Sequence, residues 1–360
     1  MNDASPPLDT LDRLVEHAAV SMLPGDELVL HPRSEESFAM LRRCDGPPEL
    51  HVQRDGACVA LHPSADSGIR GAAILGDRER LEAALAPRIG GIAESRVVAW
   101  RLRRRIVVRL EGEDGAIHWL KLLDPKNFDR AVRAFRRIRS APPPVRLILP
   151  EHELPELEGF LLPHAQGSCL HESLRSGANV ATDTLAAALR SLAAVETAPG
   201  LPTCGFAEAR DAATRMLERA AAIDPSLLDL ASRVRSLPAP SGPDRTAFVH
   251  GDLHDKQLFF RGETASFIDL EGMSTGDARF DAVNLAEHLR LRELQWTGSS
   301  GNADVRMLAA CGLEPEDTDT RVFRAAVRAR LCAVYTLRPR WRELAFRLHT
   351  EAFALVNQMQ

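Results

Sequence analysis

Two acidic residues and one amide lie close together in a single stretch of the sequence. Asp252 and Asp269 each follow a short apolar segment, and Gln257 stands five positions after Asp252. A short hairpin across this stretch would bring the three side chains around one point. Carboxylate and amide oxygens are ligands that Mg²⁺ prefers, with substrate phosphates completing its coordination, and a free carboxylate nearby can orient or deprotonate a hydroxyl. These residue types in this order indicate the chemistry of phosphoryl transfer.

Lysine is scarce in this chain, and one lysine stands in an unusual place. Of 45 basic residues only three are lysines, namely Lys121, Lys126 and Lys256, and the others are arginines. Lys121 lies inside an apolar strand pattern, where an unpaired ammonium would be costly, so we predict a functional role for it. Lys126 is expected at the surface. For Lys256, a contact with substrate or phosphate and a solvated position are equally compatible with the pattern.

The segment before these acids has the pattern of a small β-rich lobe. Alternating or apolar runs surround one amphipathic helix, in the order strand, strand, strand, helix, strand, strand. Lys121 falls on the third strand. The predicted strands are 96–100, 106–110, 116–123, 145–149 and 157–162, and the predicted helix is 127–138.

The flanking regions differ from this lobe and from each other. Residues 1–90 predict a mixed accessory region, with a hairpin over 49–62 around Asp55-Gly56 and a helix from Asp77 to Ala86. From Ser168 the chain is mostly helical, with short β-like runs near the acidic residues. The predicted helices are 182–195, 206–235, one from 281 onward and 318–334, and the β-like runs are 247–249 and 265–268.

Composition limits the class of protein. The 360 residues are 45% apolar and 26% charged, which predicts a folded globular chain of two or three structural units. The net charge of −5 argues against a nucleic-acid-binding protein, and no apolar run is long enough to span a bilayer. The six cysteines lie far apart without a C-x-x-C pair, and no secretory signal is visible, so we expect reduced thiols in a cytoplasmic protein.

The residues around Asp252 match a known pattern. The motif HGDxHxxQ at 250–257, followed by IDxE at 268–271, resembles the aminoglycoside phosphotransferase and choline kinase-like family. The resemblance covers roughly residues 95–340 and is strongest over 248–290. It implies an α+β, bilobal protein-kinase-like fold, with a small β-rich N-lobe and a mostly helical C-lobe. The domains would be the accessory region 1–90, the N-lobe 91–163 and the C-lobe 164–360, and two lobes would hold a nucleotide.

The resemblance also implies a role for each matching residue. Asp252 would be the catalytic base that accepts the substrate hydroxyl proton. Asp269 would be the main Mg²⁺ ligand, and Gln257 would be the second ligand at a position where the family has Asn. His250 would anchor the catalytic loop. Asp281 either hydrogen-bonds the loop backbone or serves as a simple N-cap of the helix that follows.

The nucleotide would be bound by residues of the N-lobe. Lys121 resembles the lysine that grips the α- and β-phosphates of ATP or GTP. The stretch 161–164, with Leu162 and His164, resembles the hinge whose backbone binds the adenine. An ordinary edge strand is the alternative for this stretch, and only its place in the order of elements favours the hinge.

Three departures from the family pattern concern nucleotide and metal binding. Gln257 is one methylene longer than Asn, so either the loop lies farther from the metal or the coordination geometry of the metal changes. The turn 101–105, expected to cover the phosphates, contains arginines and no glycine, so either its side chains bind phosphate or it is an exposed basic turn. The helix after Lys121 lacks the glutamate that normally pairs with this lysine. Asp124 or Asp129 takes that place, or another acid does, or the lysine is held differently.

The expected function is an ATP- or GTP- and Mg²⁺-dependent O-phosphotransferase for a small hydroxylated molecule such as an aminoglycoside-like antibiotic, a sugar or an amino alcohol. The alternative is a catalytically silent kinase-fold protein that binds nucleotide or a protein partner. A protein kinase is less favoured, because His254 stands where protein kinases have lysine. The sequence gives no sign of the oligomeric state or the acceptor.

Six acidic residues of the helical segments either receive a cationic substrate or lie on solvated helix faces. They are Glu172, Asp183, Glu208, Asp211, Glu287 and Glu293.

Overall fold

The computed structural model describes residues 8–32, 37–44, 46–54, 57–178, 180–241 and 246–359. The chain divides into two compact units. Unit 1 comprises Met1–Val132, Leu149–His164 and Leu337–Arg340, and unit 2 comprises Arg133–Ile148, Ala165–Thr336 and Trp341–Gln360. The first is rich in strands and the second in helices, as the predicted α+β class requires.

The elements follow one another in this order. The first half of the chain forms α1 (Leu8–Ala19), β1 (Glu27–His31), β2 (Phe38–Arg42), β3 (Glu49–Arg54), β4 (Ala57–Leu61), α2 (Arg78–Ile89), β5 (Ile92–Arg101), β6 (Arg105–Gly112), β7 (Ile117–Leu123), α3 (Pro125–Phe135), β8 (Ile138–Ser140), β9 (Val145–Leu147), β10 (His152–Leu154), β11 (Gly159–Pro163), β12 (Ser168–Cys169) and α4 (Leu170–Arg175). The second half forms α5 (Thr182–Ala193), β13 (Glu196–Thr197), β14 (Thr203–Cys204), α6 (Phe206–Ala220), α7 (Leu227–Arg235), β15 (Thr246–Val249), β16 (Leu258–Arg261), β17 (Thr264–Phe267), β18 (Ser274–Asp277), α8 (Arg279–Thr297), α9 (Ala303–Ala310), α10 (Thr318–Thr336) and α11 (Arg342–Asn357).

Unit 1 contains two antiparallel sheets, ordered β1-β2-β3-β4 and β10-β11-β7-β6-β5. Apolar side chains of both sheets, such as Leu50 and Leu120, belong to one buried cluster, so residues 1–90 pack into the same core as the strands that follow them. The predicted hairpin is confirmed as the β3–β4 pair, although its Asp55-Gly56 turn lies outside the described residues. The predicted helix is confirmed as α2, with Asp77 Oδ1 accepting the N–H of Arg80 at 3.1 Å. The division into three domains stays a prediction.

Several predicted elements lie elsewhere or end earlier. The predicted strand 145–149 is β9, which pairs in parallel with β17 in unit 2. The edge strand beside β11 in unit 1 is β10, which has only three residues and is too short to show an alternating pattern. Ile138 belongs to β8 instead of the preceding helix, since it pairs with Thr197. The predicted helix 206–235 is divided into α6 and α7 near Pro225, because proline cannot continue a helix.

Unit 2 is organised around two long helices, α8 and α10. Both are buried along most of their length, although each carries several charged residues. The buried charges are paired: on α8, for example, Arg279 forms ion pairs with Asp277 and Asp319. Small sheets surround the helices, in the orders β12-β16-β17-β9, β13-β8 and β14-β18-β15.

Within the described ranges, every helix is too short or too polar to cross a membrane.

Candidate active site

The predicted hairpin of the acidic stretch is confirmed as the antiparallel pair β16–β17. Leu258 pairs with Phe267 in register, so the residues just outside the two strand ends are neighbours. Gln257, before β16, therefore lies beside Asp269, after β17, and its Nε2 is 3.4 Å from Asp269 Oδ2. The structure thus brings these two predicted metal ligands together.

Asp269 has a backbone conformation that is uncommon for a residue with a side chain. Its φ is +68°, in the left-handed region, and it begins the short 3₁₀ turn Leu270–Gly272. Non-glycine residues in this region carry some strain, and Asp and Asn tolerate it better than other types. The turn directs the chain away from β17 immediately after the carboxylate, which leaves Asp269 at the end of the hairpin.

The Gln257–Asp269 pair fits a Mg²⁺ ion in ligand type. Mg²⁺ is commonly held by one or two protein oxygens while phosphates and water fill the rest of its octahedron. No group of three or more His, Cys, Asp or Glu in the described ranges is placed to hold a metal. Gln257 Oε1 accepts the N–H of His254 at 3.2 Å. The amide must therefore turn before its oxygen can join Asp269 at a metal.

The loop that carries Asp252 is fixed to α8. The carboxylate of Asp281 accepts the N–H of His250 at 2.6 Å and the N–H of Gly251 at 3.0 Å. Farther along α8, Asn284 Nδ2 donates to Leu253 O at 2.7 Å. The predicted contact between Asp281 and the loop backbone is confirmed. His250 is fully buried, and its Nε2 hydrogen-bonds Ile268 O at 2.8 Å.

The carboxylate of Asp252 is held by an arginine that the sequence did not single out. Arg330 Nη1 on α10 donates to Asp252 Oδ1 at 2.6 Å, and Nη2 donates to Asn284 Oδ1 at 2.8 Å. The Asp252 side chain is 54% exposed. Desolvation by neighbouring groups acts to raise its pKa, but the charge of Arg330, the charge that His254 carries below about pH 4 and the hydrogen bond from Arg330 outweigh it and lower the pKa of Asp252 to about 2. Asp252 is therefore a stably ionised carboxylate.

The other side of the loop is held by a second ion pair. Asp255 is fully buried, with Arg292 Nε donating to its Oδ2 at 2.9 Å and Nη2 to its Oδ1 at 3.1 Å, and His171 also contacts it. Burial would raise the pKa of Asp255, but the bonds with His171 and Arg292 lower it. Burial lowers the pKa of His254 to about 4 despite nearby Asp252, so this imidazole is neutral at neutral pH.

One buried ion cluster joins the two helices that carry Asp281 and Arg330. Glu287 on α8 accepts hydrogen bonds from Arg324 and Arg328 on α10, with N···O distances of 2.8 Å. Burial alone would raise the pKa of Glu287, but the two arginines outweigh it and lower the pKa to about 2. Glu287 is therefore a structural residue, and it is not available to a cationic substrate.

Because of this cluster, we expect the free energy of unfolding to fall in acid. Because the folded-state pKa of about 2 lies below the ordinary 4.5, the contribution of Glu287 is fully present above pH 4.5 and is lost as pH falls toward 2. A shift of this size corresponds to about 3 kcal/mol. We expect Glu287→Gln to lower the free energy of unfolding at pH 7 by about 3–5 kcal/mol, since buried Arg328 loses its carboxylate partner and buried Arg324 keeps only Asp304. It should also flatten the loss of stability below pH 4.5, as measured by urea unfolding.

The matched control for this prediction is Glu218→Gln, which removes an exposed carboxylate that pairs with Arg235. Its unfolding free energy should stay within about 0.5 kcal/mol of the wild type at every pH. If Glu287→Gln and the wild type lost stability in parallel below pH 4.5, Glu287 would not be the group that titrates.

Two of the three predicted nucleotide-binding residues lie in the second sheet of unit 1, and the third follows one of its strands. Lys121 stands in the middle of β7, opposite Val107 of β6 and Phe160 of β11, and its residue is 4% exposed. Leu162 is buried on β11. His164 follows that strand, and its Nδ1 accepts the N–H of Trp119 Nε1 at 3.2 Å. Their roles stay predictions.

Two of the three departures from the family pattern lie in unit 1, at the start of α3 and in the arginine turn. Asp124 caps α3 by accepting the N–H of Asn127 at 3.1 Å. In the arginine turn between β5 and β6, Arg103 has a φ of +55°. Buried Asp66 accepts the Arg103 N–H and the Trp100 Nε1–H, each at 2.8 Å. The accessory region therefore supplies the residue that fixes this turn.

Unit 1 is rich in strands and contains the buried Lys121. Unit 2 is mostly helical and contains the anchored Asp252 loop and the Asp269 turn. These features are those of a kinase-like small-molecule phosphotransferase. The sequence profile of the phosphotransferase enzyme family (APH) matches residues 88–344. The chain belongs to this family, whose members transfer a phosphoryl group to a hydroxyl of a small molecule. The resemblance noted from the motifs is confirmed, and so is the kinase-like α+β fold.

Solved structures give the same fold. The aminoglycoside phosphotransferase APH(3'')-Id from Streptomyces rimosus is 18% identical with a TM-score of 0.51, and the alignment covers 71% of this chain and 98% of that one. A thermostable mutant of the aminoglycoside phosphotransferase APH(4)-Ia is 13% identical with a TM-score of 0.50, covering 77% of this chain and 98% of that one. No curated protein matches the sequence significantly.

Proposed function

We propose that this protein transfers the terminal phosphoryl group of ATP or GTP, with Mg²⁺, to a hydroxyl of a small molecule such as an aminoglycoside-like antibiotic, a sugar or an amino alcohol. The observation that carries the proposal is the state of Asp252. Its loop is held by Asp281 and Asn284, and its carboxylate is fixed by Arg330. A preorganised, ionised carboxylate is what a phosphoryl-transfer site needs to orient an attacking hydroxyl.

Asp252 would act mainly by orientation. It accepts a hydrogen bond from the acceptor hydroxyl, whose oxygen forms a bond to the γ-phosphorus while the bond between that phosphorus and the β-bridging oxygen breaks. Because Arg330 lowers the pKa of Asp252, this carboxylate is a weak base, and it would take up the hydroxyl proton as the new P–O bond makes that oxygen more acidic. The proton then passes to solvent from this half-exposed side chain.

The remaining site residues would bind the phosphates and the base. Asp269 and Gln257 would hold Mg²⁺, which supplies positive charge to the phosphate oxygens when bound. Lys121 would contact the α- and β-phosphates, and the backbone around Leu162 and His164 would bind the purine. His250 would keep the loop in place from its buried position.

The test is a thermal-shift titration of the purified protein with ATP and GTP, each with Mg²⁺ or with EDTA. A ligand at 100 times its Kd stabilises by about 2.7 kcal/mol, which corresponds to roughly 5–10 °C for a unit of this size. We expect a Mg²⁺-dependent shift that Lys121→Met removes and that Lys126→Met, at an exposed position, preserves. No shift with either nucleotide at millimolar concentration would support a silent scaffold instead.

A further inference from the structure

A cavity in unit 2 lies against the loop that carries Asp252. Gly251 and Arg330 both line it, and its volume is about 220 Å³. This is the space of roughly seven water molecules and is below the ~300 Å³ at which pockets for drug-sized ligands begin. Apolar side chains form most of the remaining wall, from Ala209, Ala212, Phe280, Ala326 and Val327. The cavity therefore suits a compact molecule with an apolar body.

The charges around this cavity do not favour a cation. Among the described residues that line it, Glu208 is the single acid, and its Oε2 already accepts the N–H of Gly205 at 2.8 Å. Arg330 contributes a positive charge to the same wall. The acids of the loop itself are paired, Asp252 with Arg330 and Asp255 with Arg292. Glu208 and Arg330 leave the lining without net charge, and both loop acids are already paired with arginines, so a ligand ammonium meets no excess negative charge here.

An aromatic contact does not replace the missing negative charge. A quaternary ammonium can bind over the open face of an aromatic ring. Phe280 is the aromatic residue of the lining, but the residue is only 4% exposed and its ring packs against Phe323 with 6.2 Å between centroids. Its face is therefore largely covered by protein.

We propose that the cavity beside Gly251 is the acceptor pocket, that it takes a small alcohol without a cationic group, and that Arg330 is the residue that sets this specificity. The inference rests on the proposed function and narrows its acceptor. Aminoglycosides and amino alcohols are disfavoured, and uncharged hydroxyl compounds with an apolar body are favoured.

Arg330 produces this preference in two ways. Its guanidinium neutralises the charge of Asp252, which would otherwise attract an ammonium, and it repels a cation placed in the same cavity. It also leaves a place for the hydroxyl. Arg330 bonds Oδ1 of Asp252, whereas Oδ2 has no hydrogen-bond partner within the described part of the chain. The acceptor hydroxyl can donate to Oδ2 without displacing the arginine.

The sharpest probes are two alcohols of the same shape that differ in charge, choline and its uncharged carbon analogue 3,3-dimethylbutan-1-ol. Binding is read without turnover from Cys204, which also lines the cavity. A bound alcohol should slow alkylation of this thiol by iodoacetamide, followed by mass spectrometry of its peptide. The labelling is done near pH 9, since burial raises the pKa of Cys204.

We expect the uncharged alcohol to protect Cys204 at a concentration at least tenfold below that of choline. Arg330→Gln should reduce this ratio to less than about threefold, and Arg330→Lys, which keeps the charge, should retain it. Arg210→Gln is the matched control, because Arg210 is also a partly exposed helix arginine paired with an aspartate. It should leave the ratio unchanged.

Protection by choline equal to or better than that by its analogue, or protection by neither, would overturn the proposal. An unchanged ratio in a folded Arg330→Gln variant would remove Arg330 from the specificity. Phosphoryl transfer from Mg·ATP and Mg·GTP, assayed on the same samples, reports on the proposed function separately. If the uncharged alcohol protected Cys204 selectively but no phosphoryl transfer occurred, the phosphotransferase assignment would be contradicted. The selectivity of the cavity would still be supported.

Discussion

Replacing Asp252 by Asn should lower kcat by about 10³-fold or more while the Kd for Mg·ATP or Mg·GTP stays within about twofold. Asn has nearly the same shape but no negative charge, so it neither orients the hydroxyl as strongly nor accepts its proton. The loop should stay in place, because Asp281 and Asn284 hold its backbone without the Asp252 side chain. Single-turnover rates give the loss in the chemical step, and calorimetric titration gives the nucleotide affinity.

The control for this variant is Asp211→Asn. Asp211 is an exposed aspartate on α6 that pairs with an arginine, as Asp252 does, but it lies outside the loop of the HGDxHxxQ motif. Its kcat should equal that of the wild type. Retention of full turnover by Asp252→Asn, with product confirmed by mass spectrometry, would show that another group orients the acceptor.

The second large effect is expected at the predicted metal ligand. Asp269→Asn should remove the Mg²⁺-dependent part of nucleotide binding and lower turnover by at least about 10²-fold, because an amide is neutral and a weaker ligand for a hard cation. Asparagine is the best probe here. It tolerates the left-handed backbone at φ +68° that alanine would strain, so lost activity can be assigned to the ligand instead of the fold. Nucleotide affinity with Mg²⁺ and with EDTA provides the measurement.

Glu263→Gln gives the comparison for Asp269→Asn, since it removes an exposed carboxylate from the other end of the same hairpin. Its affinity for nucleotide should respond to Mg²⁺ as the wild type does. An Asp269→Asn protein that gave the wild-type Mg²⁺ titration would exclude Asp269 as a metal ligand.

The parts of the site that are close in sequence could be predicted, and the distant partners could not. Spacing alone indicated the hairpin that joins Gln257 to Asp269, since both flank one pair of short strands. The resemblance offered the loop backbone as one of two interpretations for Asp281, and the structure shows that contact. Arg330 left no such signal, because it lies 78 residues after Asp252 in a chain where nearly all basic residues are arginine. Its partner is determined by how α10 packs beside α8.

The same distinction explains the errors in the fold. The pattern of 145–147 correctly indicated a strand, but its partner, β17, lies more than 100 residues later. Nothing in the local sequence distinguishes that partner from a neighbour in the β-rich lobe. The acids of the helical segments were ambiguous for a related reason. Glu287 is buried between two arginines and Glu208 lines a cavity, although both look like ordinary helix acids in the sequence.

The short segment Leu337–Arg340 affects how the protein can be made. It belongs to unit 1, where Leu337 O accepts the N–H of Leu30 at 2.7 Å on edge strand β1, and Arg338 pairs with Glu27. During translation, roughly 10–40 s separate synthesis of Val132 from that of Leu337 at about 5–20 residues per second. During this time the nascent chain is still on the ribosome and the edge of strand β1 lacks its contact with Leu337. An exposed strand edge is a site for misassembly between nascent chains. Slow elongation or a C-terminal truncation before residue 337 should therefore reduce the soluble yield of the N-terminal unit itself.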